Sequence, residues 1–137
     1  MSVTALLGMV VLSGCGGPPE AGPAADGTDY TACEDGACEV AVSEPMDRVI
    51  GAPHEGMATL TITAVIEDGI EFEVAQSEST SSGSLSGICE STITANSMFS
   101  TCFDEGVLPE PAPWQGELVV QLLGMNDGAA VLRLAVN

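Results

Sequence analysis

The sequence of 137 residues contains no lysine, two arginines and one histidine, against 20 acidic residues. The net charge of −18 argues against a nucleic-acid partner, because phosphate backbones are bound through clusters of basic side chains. It also repels anionic lipid headgroups, so membrane attachment requires acyl chains. Two interpretations of the acidity remain: solubility with an organism-wide compositional bias, or attraction to a cationic partner or to divalent ions.

Long hydrophobic runs are also missing. Residues 3–12 are uncharged and mostly apolar, which is too short to span a bilayer but typical of the hydrophobic region of a signal peptide. The following Leu12-Ser13-Gly14-Cys15 resembles the lipobox of bacterial lipoproteins, which implies cleavage before Cys15 and its lipidation with palmitate. No basic residue precedes Arg48, so either the true start lies upstream or export relies on the α-amine. A buried apolar N-terminal helix is the alternative.

The number and spacing of the cysteines indicate the compartment and the crosslinks of the protein. If Cys15 carries lipid, four cysteines remain, and an exported domain lies where disulfides persist. Cys33 and Cys38 are separated by four residues rather than the two of a redox CxxC pair, and a single histidine does not favour a zinc site. We therefore predict Cys33–Cys38 and Cys89–Cys102 disulfides. A hairpin loop of residues 34–37 would place Cys33 opposite Cys38, whereas a three-residue loop would separate them and favour a Cys33–Cys102 bond.

Composition divides the chain into three parts. We predict a lipoprotein signal peptide at 1–14, a lipidated cysteine with a Pro/Gly-rich tether at 15–29, and a β domain at 30–137. The fourteen tether residues after Cys15 reach at most about 45–50 Å when extended. The domain would therefore stand just off a membrane surface.

Two β-hairpins are predicted from an internal repeat. Residues 52–56 (APHEG) and 112–116 (APWQG) each precede a β-like run, an acidic or Asn-containing turn with Gly, and a second run. Side-chain phase favours three-residue loops at 67–69 and 126–128, because a shift of one residue would place apolar residues opposite charges. The predicted pairs are Ile66–Ile70, Ala64–Phe72, Ile62–Val74 and Thr63–Glu73 in the first hairpin, and Leu122–Leu132, Val120–Leu134 and Gln121–Arg133 in the second.

The two hairpins differ in their second faces. The first has one apolar face (Leu60, Ile62, Ile66, Phe72, Val74) and one polar face (Thr59, Thr61, Thr63, Glu71, Glu73). The second is apolar on both: Leu118, Val120, Leu122, Leu132 and Leu134 on one side, and Val119, Leu123, Met125 and Val131 on the other. That second side is either core or a partner interface, and we favour core.

Few helical patterns occur, so the predicted fold class is all-β, a small sandwich or barrel of six to eight strands built from repeated hairpins and stapled by disulfides. Residues 77–87 (SESTSSGSLSG) are predicted to form a mobile surface loop, and residues 104–116 an ordered or extended connection.

The chain combines the lipobox, the Pro/Gly tether, the segment ACEDGACEVAV, a β-rich body with a second cysteine pair, and the closing NDGAAVLRLAV. In this combination it resembles the small uncharacterised cell-surface lipoproteins of actinobacteria. The resemblance implies a cell-surface setting and no mechanism.

No group of residues forms a catalytic signature. His54 occupies the repeat position of Trp114, so a structural contact is favoured for both over a ligand or base. The serines at 77–84 have only His54 as a base, and solvated charge is the default for the carboxylate pairs Glu71/Glu73 and Asp104/Glu105. We expect no cofactor and no metal, because calcium-ligand and phosphate-binding patterns are missing.

These observations predict a lipid-anchored protein on the extracytoplasmic face of the cell membrane. Its non-catalytic β domain would act in binding or in interaction with envelope proteins. The alternative is an inhibitory or structural module that presents the 77–87 loop, and an envelope hydrolase is less favoured. The expected partners are the membrane, through the lipid, and an envelope protein, but not nucleic acid.

Overall fold

The computed structural model describes residues 20–50, 58–76, 79–94, 97–104, 108–114 and 116–136. Within these ranges the chain forms one 3-10 helix, Tyr30–Asp35, and nine strands: β1 (Ala37–Val42), β2 (Met46–Ile50), β3 (Ala58–Ile66), β4 (Gly69–Ala75), β5 (Thr80–Ser86), β6 (Ile88–Ile93), β7 (Met98–Phe103), β8 (Leu118–Asn126) and β9 (Ala129–Val136). Within these ranges no helix is long and apolar enough to cross a membrane.

The strands form two antiparallel sheets that pack face to face. Sheet A has the order β1-β9-β8-β6-β7 and sheet B the order β2-β3-β4-β5, and the sheets are not closed into a barrel. This confirms the all-β prediction in its sandwich form, with nine strands among the described residues where six to eight were expected. Both sheets contribute to one core, in which Leu122 and Leu132 of sheet A join Ile62 and Phe72 of sheet B. Each such side chain contributes roughly 1.5–3 kcal/mol on burial.

The hairpin of β3 and β4 closes through a two-residue loop, not the predicted three-residue loop. Ile66 pairs with Gly69, and the register shifts between Ile62 and Ala64, which leaves Thr63 as a bulge. One extra residue reverses the phase, so Leu60 and Ile62 still face the core. They lie opposite Val74 and Phe72, however, so the four cross-strand pairs predicted for this hairpin are wrong. Because Thr63 is bulged, the shorter loop does not place Leu60 and Ile62 opposite charged residues, which was the argument against it. Val65 replaces Ile66 as the residue that packs against the core.

Gly69, the first residue of β4 after this loop, lies close to β5. A Cβ at position 69 would lie 1.8 Å from the carbonyl oxygen of Leu85, so only glycine permits the close approach of β5. Gly69 is therefore a strand residue rather than the left-handed residue of a three-residue turn.

The hairpin of β8 and β9 repeats this construction. Asn126 pairs with Ala129, so the loop is Asp127–Gly128, and both loop residues have positive φ, 49° and 81°, as a type I′ turn requires. The three-residue loop predicted here is also wrong, but beyond a bulge at Leu123 the three predicted cross-strand pairs are confirmed. The bulge moves Met125 to the core side of the sheet, where only 7% of its surface is exposed, and not to the second face as predicted.

The internal repeat is visible in these two hairpins. Their bulges, at Thr63 and Leu123, lie 60 positions apart, and each hairpin is flanked by one antiparallel strand on each side. Residues 52–56 of the repeat lie outside the described residues.

Two segments differ from their predictions. Residues 80–86 of the expected loop 77–87 form the edge strand β5, in which Leu85 is buried and anchors the serines to sheet B. Residues 20–29 of the expected tether bind to the domain. Glu20 forms a parallel bridge with Met125, and the backbone amides of Asp26 and Ala41 donate to the carbonyls of Glu39 and Gly27. Contacts with the domain thus extend at least to Glu20, ten residues before the predicted boundary at residue 30.

Candidate functional site

Both predicted disulfides are present, and they hold different kinds of elements. Cys89 and Cys102 lie directly opposite each other on β6 and β7. Cys33 lies in the 3-10 helix and bonds Cys38 of β1, so the predicted hairpin around residues 34–37 is wrong although the bond is right. The Asp29 side chain caps this helix by accepting from the Thr31 amide, and Gly36 ends it in a left-handed conformation. Cys15, the predicted lipidation site, lies outside the described residues.

A row of polar side chains crosses the outer face of sheet A. Glu90, Gln121, Arg133 and Glu39 occupy adjacent register positions on β6, β8, β9 and β1. Gln121 Nε2 donates to Glu90 Oε1 at 3.1 Å, and Arg133 Nη1 donates to Gln121 Oε1 at 3.4 Å. Arg133 Nη2 lies 3.4 Å from Glu39 Oε2. Gln121 is fully buried, so its side-chain amide needs these hydrogen bonds, and they hold the side chains of Glu90 and Arg133 in place.

Two segments of the same chain cover this row. We call residues 20–29 the strap. The Glu39 carboxylate accepts from the Ala25 amide of the strap, and the Asp26 carboxylate accepts from the Glu39 amide. At the other end of the strap, Asn126 Nδ2 donates to the carbonyl of Ala21. The 108–114 connection is held by a hydrogen bond from Gln121 Nε2 to the Pro109 carbonyl, at 2.9 Å, and by the buried Leu108.

This cover explains why the last hairpin is apolar on both faces. Val119 and Val131 on the outer face are buried, as the core interpretation predicted. Leu123, at the bulge, is only half-buried. The part of the outer face formed by β8 and β9 is therefore packed under its own chain, with an opening at Leu123.

That opening is a cleft of about 260 Å³ between the strap and sheet A. Its floor and walls are apolar (Ile88, Leu108, Leu123, Val131), and its rim carries Glu20, Glu39 and Arg133. Because Glu39 pairs with Arg133, Glu20 is the rim charge that has no opposite charge beside it in the lining. We call this opening the strap cleft. An apolar pocket with a few convergent polar groups is the usual form of a binding site.

A second depression of about 290 Å³ lies on the other side of the Glu39–Arg133 pair. Asp26, Glu110 and Pro111 line it, so its charged groups are again mainly carboxylates. Both openings therefore suit cationic or apolar groups better than anions.

The other candidate residues do not form a reaction centre in the part of the chain that the structure describes. Trp114 is 80% exposed, so it is not the packed turn residue that we favoured. Glu71 and Glu73 lie on the polar face of sheet B, beside a shallow groove with Ser82 and Ser84. No group of three His, Cys, Asp or Glu residues within the described ranges could hold a metal ion. His54 and Glu105 fall outside those ranges, as do Ser77 and Glu78.

The sequence indicated only half of the polar row. Cross-strand phase predicted the Gln121–Arg133 pair, but Glu39 and Glu90 reach the row through the strand order, in which β1 and β6 flank the last hairpin. The strap was missed because its Pro/Gly composition is that of a linker.

Comparisons with known protein families, with curated proteins and with solved structures find no match to this chain.

Proposed function

We propose that this protein is a lipid-anchored, extracytoplasmic binding module whose strap cleft receives an apolar, positively charged segment of an envelope protein. The observation that carries the proposal is the strap cleft itself, where apolar side chains lie below a rim that carries Glu20 and the Glu39–Arg133 pair. A cationic partner also fits the net charge of −18, which attracts positive segments over a distance of about a Debye length.

Support for the extracytoplasmic location comes from the cysteines. The four cysteines after Cys15 form two closed disulfides, and disulfides persist in oxidising compartments. Lipid anchoring rests on the resemblance of Leu12-Ser13-Gly14-Cys15 to a lipobox. With the strap bound to the domain from Glu20 onward, only the four residues 16–19 separate Cys15 from the strap, and they can span at most about 17 Å. The strap side of the domain would then lie near the membrane.

The alternative module that presents a Ser-rich loop has weaker support. Its loop was expected at 77–87, but residues 80–86 are part of sheet B. Hydrolysis has no specific observation in its favour among the described residues, where Glu71, Glu73, Ser82 and Ser84 line a shallow groove on sheet B.

Site-specific photo-crosslinking in intact cells tests the binding role. A photoreactive residue at Leu123 should give a discrete adduct with one envelope protein, whereas the same residue at Glu71, on the exposed face of sheet B, should not. The adduct from Leu123 should weaken when Glu20 is replaced by Lys. Equal labelling from both positions, or an adduct from Glu71 alone, would contradict the proposal.

A further inference from the structure

Within the described ranges, strand β7 pairs only with β6, and its other edge has no partner strand. It lies at the end of sheet A, and five of its six residues are exposed. Phe99 and Phe103 lie on its outer face with 60% and 42% of their surface exposed. Edge strands of soluble proteins usually carry lysine, proline or another charge that prevents pairing, and β7 (MFSTCF) has none of these.

The backbone groups that β7 directs away from the sheet can be identified from its pairing. Thr94 donates its amide to Ser97 O, so these two residues form a hydrogen-bonded pair, and the pairs along β6 and β7 alternate from there. The 4.1 Å Cα separation of Cys89 and Cys102 is that of a non-hydrogen-bonded pair and agrees with this phase. Met98, Ser100 and Cys102 therefore direct their amides and carbonyls toward the free edge.

The opposite edge of sheet A is not open in this way. There the strap is hydrogen-bonded to β1. The Asp26 amide donates to the Glu39 carbonyl and the Asp26 carboxylate accepts from the Glu39 amide, while the Ala41 amide donates to the Gly27 carbonyl. The two sheet edges that lie together on the β7 side, β5 and β7, contain no acidic residue, although the chain has 20. These two edge strands therefore carry no negative charge of their own that would repel a second copy.

We propose that β7 pairs antiparallel with β7 of a second copy, about a two-fold axis at Thr101. In this register Phe99 lies opposite Phe103 of the second copy, and the symmetry repeats the contact. Ser100 and Cys102 then exchange backbone hydrogen bonds with Cys102 and Ser100 of the second copy. The two sheets A become one ten-stranded sheet.

The spacing of the phenylalanines favours a second copy over an unrelated strand. Phe99 and Phe103 are equally distant from Thr101 on the same face, so a two-fold axis at Thr101 matches each ring with the other. Cross-strand aromatic pairs at non-hydrogen-bonded positions bring the rings closest together. The Cys89–Cys102 bond holds β7 to β6, so the edge is fixed before it pairs.

Sedimentation of the full chain carrying Cys15→Ser, in which lipid cannot drive association, measures the dimer directly. Phe99→Glu should raise the dimer dissociation constant about tenfold or more, because it removes both aromatic pairs and adds charge at the edge. Phe99→Lys combined with Phe103→Glu should restore association through two cross-strand ion pairs, whereas Phe99→Lys with Phe103→Lys should not. A monomer up to millimolar concentration, or a dimer that Phe99→Glu leaves unchanged, would overturn the proposal.

A covalent test checks the register. At the two-fold axis, the Cα atoms of Thr101 in the two copies would be about 4.5 Å apart, within disulfide reach. Thr101→Cys should therefore give a disulfide-linked dimer on mild oxidation, with the Cys89–Cys102 peptide retained in non-reducing peptide maps. Thr63→Cys, exposed at the bulge of β3, should remain monomeric. Equal dimer yield from both variants would mean that the contact is random and would overturn the register.

Discussion

Arg133 and Glu39 face each other across β9 and β1, with the guanidinium 3.4 Å from the carboxylate. This pair lies between the two openings of the outer face, and the strap is bound to it through the Ala25 amide. It connects the sheet, the strap and the rim of the strap cleft, so changes at these residues report on all three.

Replacing Arg133 by Met should destabilise the domain by about 1–3 kcal/mol. The substitution leaves the Glu39 carboxylate without its cation and Gln121 Oε1 without a donor, while the partial exposure of the pair limits the cost. Urea denaturation gives the free energy of unfolding. Glu44→Gln, at an exposed position between β1 and β2, is the control and should change that free energy by less than about 0.5 kcal/mol. Equal stability of the two variants would mean that the row contributes nothing to folding.

Aspartate substitutions on the outer face of sheet A should separate core from cleft. Val131 is fully buried, so Val131→Asp should cost about 3 kcal/mol or more. Leu123 is half-buried at the opening, so Leu123→Asp should cost less than half as much. Thermal melts of the two variants make the comparison. A greater loss of stability in Leu123→Asp would show that the strap cleft is closed.

The two disulfides should differ in their contribution to stability. Cys89→Ala with Cys102→Ala opens a loop with a sequence separation of 13, and should cost about 3 kcal/mol by loop entropy. Cys33→Ala with Cys38→Ala opens a loop with a separation of 5, and should cost about 2 kcal/mol. Denaturant midpoints of the two double variants test the order, which would be reversed if packing of the 3-10 helix, rather than loop entropy, decided the outcome.

Asp26→Ala should loosen the strap without unfolding the sandwich. It removes the acceptor of the Glu39 amide, a loss of about 1 kcal/mol. Hydrogen exchange should then become faster at the Ala41 amide, which donates to Gly27 of the strap. The Phe72 amide in sheet B is the internal control and should keep its protection. Unchanged exchange at Ala41 would mean that the strap is held by other contacts.

Side-chain alternation was sufficient to predict the fold class, the last hairpin's inner pairs and the core faces away from the two bulges, but not the positions of Ile66 and Met125. Leu60, Ile62, Phe72 and Val74 are core residues because strand periodicity places them on one face, and no distant contact is needed to see this. Phase alone could not give the loops, because a two-residue loop followed by a bulge leaves the same side chains on the core face beyond the bulge as a three-residue loop, and in the last hairpin it also gives the same pairs there. The close approach of Gly69 to Leu85, which requires glycine at this position, is made between separate strands.

The strap and β5 were mispredicted for a related reason. Both have the composition of loops. The strap is ordered by hydrogen bonds to β1 and to the distant β8, and β5 is ordered by pairing with β4, the strand just before it. Asn126 and Ala21 are 105 residues apart, and this distance hides their contact from any local pattern. The strap cleft could not be predicted because the strap forms one of its walls.

Metabolic labelling with palmitate is the most direct test of the account, because the membrane setting rests on one residue. The wild-type protein should incorporate label and fractionate with the membrane. The Cys15→Ser variant should incorporate none and leave the membrane fraction, while its Cys33–Cys38 and Cys89–Cys102 bonds still form. Equal labelling of both proteins, or no labelling of either, would contradict the lipid anchor.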